Sequence, residues 1–153
     1  MKPKLLVSAC LLGTPCRYDG KSKKNEAVCA LAERFELIPV CPEVLGGLPT
    51  PRTPSERRGA CVVRKDGRDV TAEYRRGAEC ALETAQREGV LAAVLKERSP
   101  SCGSGEIYDG TFTGALTAGD GVTAELLKAN GIMVYGEGEQ SLTEFLCSVS
   151  HST

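Results

Sequence analysis

Three short apolar runs that each lead to a cysteine restrict the folding of this chain more than any other feature. Leu5-Leu6-Val7-Ser8-Ala9 leads into Cys10, Leu37-Ile38-Pro39-Val40 into Cys41, and Val90-Leu91-Ala92-Ala93-Val94-Leu95 into a loop that carries Cys102. Residues that are apolar at consecutive positions, not alternate ones, suit strands covered on both faces, as in a parallel sheet between layers of helices. In an open sheet of that kind, ligands bind in the crevice beyond the carboxyl ends of the strands. The pattern therefore puts Cys10, Cys41 and Cys102 where such a fold builds its site.

Between the runs the apolar spacing becomes helical. Ser22 is placed to cap a helix over residues 23–34, in which Val28, Leu31, Ala32 and Phe35 share a face. Thr71 is placed to cap a second over 72–87, with Tyr74, Gly77, Ala78, Ala81, Leu82 and Ala85 on one side. A third covers 121–129 and stops at Asn130-Gly131; a fourth covers 142–147, where Ser141 and Glu144 fit a capping box. Strands are expected over 4–9, 36–40, 90–95 and 132–135, and a hairpin joins 60–63 to 68–71 through Lys65-Asp66-Gly67. Residues 107–114 read as a turn around Asp109-Gly110 that covers or lines a pocket. The expected fold is α/β: one three-layer α/β/α domain over residues 1–153, with a mostly parallel, Rossmann-like sheet, a small inserted hairpin and a frayed tail at about 149–153.

Charge and cysteine usage narrow the function. Nineteen Lys and Arg against twenty Asp and Glu give a net charge of -1, so general electrostatic capture of nucleic acid or membrane is not expected. No run approaches the roughly 20 apolar residues of a membrane span. Eight cysteines in 153 residues, behind a start that lacks a secretory apolar segment, favour the cytoplasm and metal-binding or reactive thiols over a disulfide scaffold. Cys29 and Cys80 fall on helix flanks and Cys61 in a strand, where a cysteine is most simply a packing residue.

The strand-end cysteines lack the partners of the commoner thiol sites. The only histidine is His151, and no Cys-x-x-Cys, Walker loop or dinucleotide fingerprint is present. A metal or iron-sulfur site, buried structural thiols, and a nucleophilic or persulfide-carrying cysteine all remain open. Glu43, two residues past Cys41, suits proton transfer in a shared cavity, or else binds backbone N–H groups of its own glycine-rich loop. Ser99 and Ser101 suit substrate orientation or turn capping. Arg17, Arg52 and Arg98 are placed beside the candidate cysteines as pocket or loop-anchoring groups, and Tyr18 could stack on a base.

Taken together, Ser8-Ala9-Cys10-Leu11-Leu12-Gly13, Cys16-Arg17-Tyr18-Asp19-Gly20, Cys41-Pro42-Glu43 with Gly46-Gly47-Leu48 and Pro51-Arg52, and Ser99-Pro100-Ser101-Cys102-Gly103 resemble the motif set of a small bacterial family. That family, formerly of unknown function, is now associated with thiouracil desulfidase, and the resemblance covers nearly the whole chain. It implies a [4Fe-4S] cluster on Cys10, Cys41 and Cys102, with Cys16 the rival for a ligand position. It also implies removal of sulfur from a thiolated pyrimidine without net redox change, with Glu43 moving a proton and Ser99 placing the ring. The partners implied are a small thiolated base or nucleoside and the iron-sulfur assembly machinery, with no stable nucleic acid complex. A noncatalytic iron-sulfur or metal-binding module and a persulfide sulfur carrier are the competing readings.

Overall fold

The computed structural model of the chain describes residues 2–150. Strand β1 (Lys4–Ser8) runs straight into a 3-10 turn, Ala9–Leu12, which carries Cys10 and is closed by Gly13 in the left-handed region at φ 103°. Helix α1 is shorter than its apolar spacing suggests, Glu26–Ala30, with a 3-10 continuation over Leu31–Glu33. Its cap is Asn25, whose side chain accepts the Val28 N–H, and not Ser22. Strand β2 (Glu36–Val40) ends at Cys41, which is the N-cap of the short helix α2 (Pro42–Leu45); Pro42 at the first helical position needs no N–H there.

The hairpin is displaced from its expected place. Strand β3 (Ser55–Arg58) pairs antiparallel with β4 (Cys61–Arg64), so the tight turn is at Gly59-Ala60, and the expected second arm at 68–71 keeps only a bridge from Val63 to Asp69. Polar Ser55-Glu56-Arg57-Arg58 has no alternation to betray a strand. Helix α3 (Thr71–Glu88) follows, closed by left-handed Gly89. Thr71 is already inside it: its hydroxyl accepts the Val62 N–H, while Asp69 accepts the Thr71 N–H.

Strand β5 (Ala92–Val94) is succeeded by a second antiparallel pair, β6 (Glu106–Tyr108) and β7 (Leu116–Ala118), around the turn at Asp109-Gly110. Helix α4 (Val122–Ala129) and strand β8 (Val134–Tyr135) are followed by α5 (Glu139–Ser150). Helix α5 begins before Ser141, whose hydroxyl instead accepts the Gly136 N–H, so the expected capping box does not form. It also takes up residues 149 and 150 of the expected tail; the remainder, with His151, lies outside the described residues.

The main sheet is parallel throughout, in the order β2-β1-β5-β8. Alternate side chains of β1 enter opposite layers. Leu5 and Val7 join Val28, Phe35, Leu142 and Phe145 beneath α1 and α5, whereas Leu6 joins Ala93, Ala85, Ala124 and Leu127 beneath α3 and α4. The three-layer α/β arrangement is the one the consecutive apolar runs require. The chain passes from β1 to β2 on one side and then crosses to β5 on the other, so the order reverses at β1, the topological switch point at which such sheets bind ligands.

One contact outside the sheet sets the site's geometry. Helices α2 and α3 meet at two glycines so closely that a Cβ on Gly77 would lie 1.9 Å from the Pro42 carbonyl oxygen, and one on Gly46 would lie 2.0 Å from that of Glu73. Only hydrogen at both positions permits backbone to touch backbone. Among the described residues no helix is long and apolar enough to cross a membrane.

Candidate active site

A cavity of about 660 Å³ opens at the switch point, within the range of roughly 300–1,000 Å³ common for ligand pockets. Cys10 reaches it from the turn after β1, Cys41 from the end of β2, Cys102 from the loop after β5 and Cys16 from the loop before α1. Cys10, Cys16 and Cys102 are buried and Cys41 is half-buried. The Cys41 thiol donates to the Cys16 carbonyl at 3.7 Å, and the Cys16 thiol is influenced by those of both Cys10 and Cys41. The Cys16 thiol is pushed above its ordinary value first by the bond to Cys10, and Cys41 is pushed further up by its bond to Cys16 and then by burial. Burial pushes the Cys102 thiol up to about 12, against hydrogen bonds from Ser8 and Ser101 that favour its thiolate.

Glu43 enters the cavity from the first turn of α2, and its partner is Arg52. The guanidinium donates through Nε at 2.9 Å and approaches at 2.8 Å through its second nitrogen, with side chains only 7% (Arg52) and 16% (Glu43) exposed. The remaining donors of Arg52 bind the Pro49 carbonyl, the Thr50 hydroxyl and, at 2.9 Å, the Cys16 carbonyl. Arg52 thus ties the loop after α2 to the loop carrying Cys16 and fixes the carboxylate between them. Of the roles weighed for Arg52, the anchoring one is what this geometry performs.

Tyr74 completes this corner and was not legible as a site residue, because its spacing on α3 is that of the core stripe. It is buried and lines the cavity together with Ser55 and Glu43. Burial, then the Glu43 charge, raises its phenol well above the usual range, so Tyr74 stays neutral in that corner of the cavity.

The two serines behave differently. Ser99 lines the cavity, and its hydroxyl oxygen accepts the N–H groups of Ser101 and Cys102, both at 3.1 Å, which leaves its own proton free to point at a ligand. Ser101 is fully buried behind Cys102 and shares a 2.8 Å hydrogen bond with Thr123 of α4. Ser8, in β1, accepts the Lys96 N–H at 2.8 Å and sits near enough to the Cys102 thiol to favour its thiolate. Glycines 103 and 121 let this loop fold on itself, since a Cβ on Gly121 would meet the Ser101 carbonyl at 2.4 Å.

Arg17 and Tyr18 stand at the cavity's edge, the guanidinium 5.7 Å from the ring centroid and 3.8 Å from Asp19. Arg98 also lines it, in a left-handed conformation, and pairs with Glu106. Lys96, which sequence reasoning passed over, lines the cavity while paired at 3.0 Å with Glu137. Among the described residues, no three His, Cys, Asp or Glu side chains converge tightly enough to hold a single metal ion.

A family model described as 2-thiouracil desulfurase matches residues 5–139. A relative from Bacillus subtilis (strain 168), the uncharacterized protein YbbK, is 44% identical over 145 residues, covering 88% of this chain and 96% of the relative. A solved structure described as [4Fe-4S]-dependent thiouracil desulfidase TudS (DUF523Vcz) superposes with a TM-score of 0.90 at 51% identity, covering 97% of this chain and 99% of that one.

Proposed function

The chain belongs to the 2-thiouracil desulfurase family, and we propose that it is a [4Fe-4S]-dependent desulfidase that converts a thiolated pyrimidine such as 2-thiouracil, with water, into the oxo base and sulfide without net redox change. The observation that carries this reading is the meeting of Cys10, Cys41 and Cys102, each delivered by a different neighbouring strand, in one cavity with Glu43. An all-sulfur donor set suits iron-sulfur clusters and other soft metals. Cys10, Cys41 and Cys102 would hold the cluster, leaving Cys16 as a fourth thiol beside Cys10 and Cys41. When bound, the cluster would supply a Lewis-acidic iron with affinity for the thiocarbonyl sulfur.

The chain's own groups account for the rest. Glu43, held by Arg52, takes a proton from the water that adds to the ring carbon and returns one to the departing sulfur. The Ser99 hydroxyl orients the ring, Arg17 and Tyr18 meet it at the rim, and Ser8 and Ser101 hold Cys102 in place. A carboxylate fixed inside the thiol cavity favours an enzyme over a storage module. The substrate class is a small thiolated base or nucleoside, loading falls to iron-sulfur assembly machinery, and the cytoplasm is the compartment that keeps these thiols reduced.

Anaerobic reconstitution tests the reading. It should give brown protein with about four irons and four sulfides per chain that releases sulfide from 2-thiouracil. Glu43→Gln should keep the cluster and lose more than about tenfold in turnover. Iron-free protein, or a site emptied by Cys16→Ser but not by Cys41→Ser, would overturn the cluster or its ligand set respectively.

A further inference from the structure

Part of the cavity wall comes from the loop between β6 and β7, and the conformation of that loop is held against its own preference. Phe112 lines the cavity with a backbone φ of 59°, a left-handed conformation that bulky residues rarely adopt. Strain of this kind persists only where surrounding contacts enforce it. Here Glu56, a carboxylate on β3 only 9% exposed, accepts the Gly110 N–H at 2.9 Å and the Phe112 N–H at 3.1 Å through one oxygen. Arg58, two residues along β3, donates to the Gly110 carbonyl at 2.7 Å and brings its guanidinium 5.9 Å from the Phe112 ring centroid.

Arg58 is not among the residues that line the cavity, so it backs the ring from outside and leaves the inner surface for a ligand. Tyr18, Tyr74 and Tyr108 also line the cavity, but each is a phenol, so among the described lining residues Phe112 supplies the one ring with no polar group. Phe112 carries no polar group, so what it offers is a flat apolar face preset by the β3 contacts.

We propose that Phe112 is the ring-recognition residue of this site: it stacks on the planar thiolated pyrimidine, and Glu56 and Arg58 hold it there in advance. The inference rests on the desulfidase reading and adds the element that selects a flat conjugated ring over a puckered one. Stacking of a base on an aromatic side chain is worth about five- to a hundredfold in binding when the side chain is truncated. Leucine keeps the apolar contact and loses the stacking face.

The test compares wild type, Phe112→Leu, Phe112→Tyr and Glu56→Gln as reconstituted protein, with 2-thiouracil and its non-planar 5,6-dihydro derivative. Phe112→Leu should raise KM for 2-thiouracil at least about fivefold, with kcat and iron content within twofold of wild type. The preference for the planar ring should fall by a similar factor, Phe112→Tyr should restore both, and Glu56→Gln should raise KM in the same direction. Equilibrium dialysis of 2-thiouracil against the same proteins gives a readout independent of turnover. Unchanged KM, ring preference and dialysis binding in Phe112→Leu would overturn the role of Phe112 while leaving the desulfidase reading intact. Wild-type protein that binds 2-thiouracil through Phe112 but releases no sulfide would overturn the activity and keep the binding role.

Discussion

Adding one methyl group at Gly77 tests whether the helix contact behind the site has the closeness described. In an unpacked helix the change from glycine to alanine is favourable by about 1 kcal/mol. At Gly77 the new Cβ would lie 1.9 Å from the Pro42 oxygen and 2.7 Å from its carbonyl carbon, where real contacts begin near 3.0 Å, so α2 has to retreat by about 1 Å. The obstacle is backbone, which has no rotamer to yield, and overpacking costs about 1–3 kcal/mol. Taking the upper end, the net loss is about 2 kcal/mol, or about 4–8 °C in Tm for a domain of this size. Pro42 lies between Cys41 and Glu43, so the retreat moves both. A displacement of about 1 Å in a catalytic group is worth about a hundredfold in rate. Thermal unfolding of the metal-free protein and sulfide release by the reconstituted protein read the two effects separately. Gly77→Ala protein that melts at or above the wild-type temperature with full turnover would refute the reasoning, because that is the outcome helix propensity alone predicts. Gly46→Ala, whose Cβ would meet the Glu73 oxygen at 2.0 Å, should behave alike.

Arg52→Met removes the partner of a largely buried carboxylate and three further hydrogen bonds; we expect a loss of about 3 kcal/mol in denaturant unfolding, with Arg52→Lys intermediate because lysine lacks the fork. Tyr74→Phe deletes only the hydroxyl beside Glu43; kcat should fall several-fold with KM, cluster absorbance and Tm nearly unchanged, and an equal fall in Tm would make Tyr74 a packing residue only. In the metal-free protein, burial above all pushes the folded Cys102 thiol up to about 12, against about 8.5 for an unfolded cysteine. The folded state therefore keeps a proton that the unfolded chain gives up, so this group's contribution is complete below about pH 8.5 and is lost as pH rises toward about 12. Melting temperatures across that window should fall with pH, and Cys102→Ser should flatten the slope.

The core strands and thiols were readable because each depends on a short segment. Consecutive apolar positions in β1 announced a strand covered on both faces, and the cysteine at each exit followed from that alone. Local signals failed where a nearby group competed for the same backbone. Asn25 displaced Ser22 as the cap of α1, and Asp69 took the Thr71 N–H, leaving Thr71 inside α3 with its hydroxyl on the Val62 N–H.

The fold class, the parallel sheet and a sulfur-rich site at its edge were set by the residue order, since hydrophobic period and donor chemistry belong to single segments. Which side chains face one another there was decided only in three dimensions. Arg52 against Glu43, Tyr74 against both, and Phe112 held by Glu56 each depend on how loops without periodic structure are carried by the packing beneath them. A contact between α2 and α3 through two bare glycines has no signature in either segment, because its cause is the absence of a side chain on both partners at once.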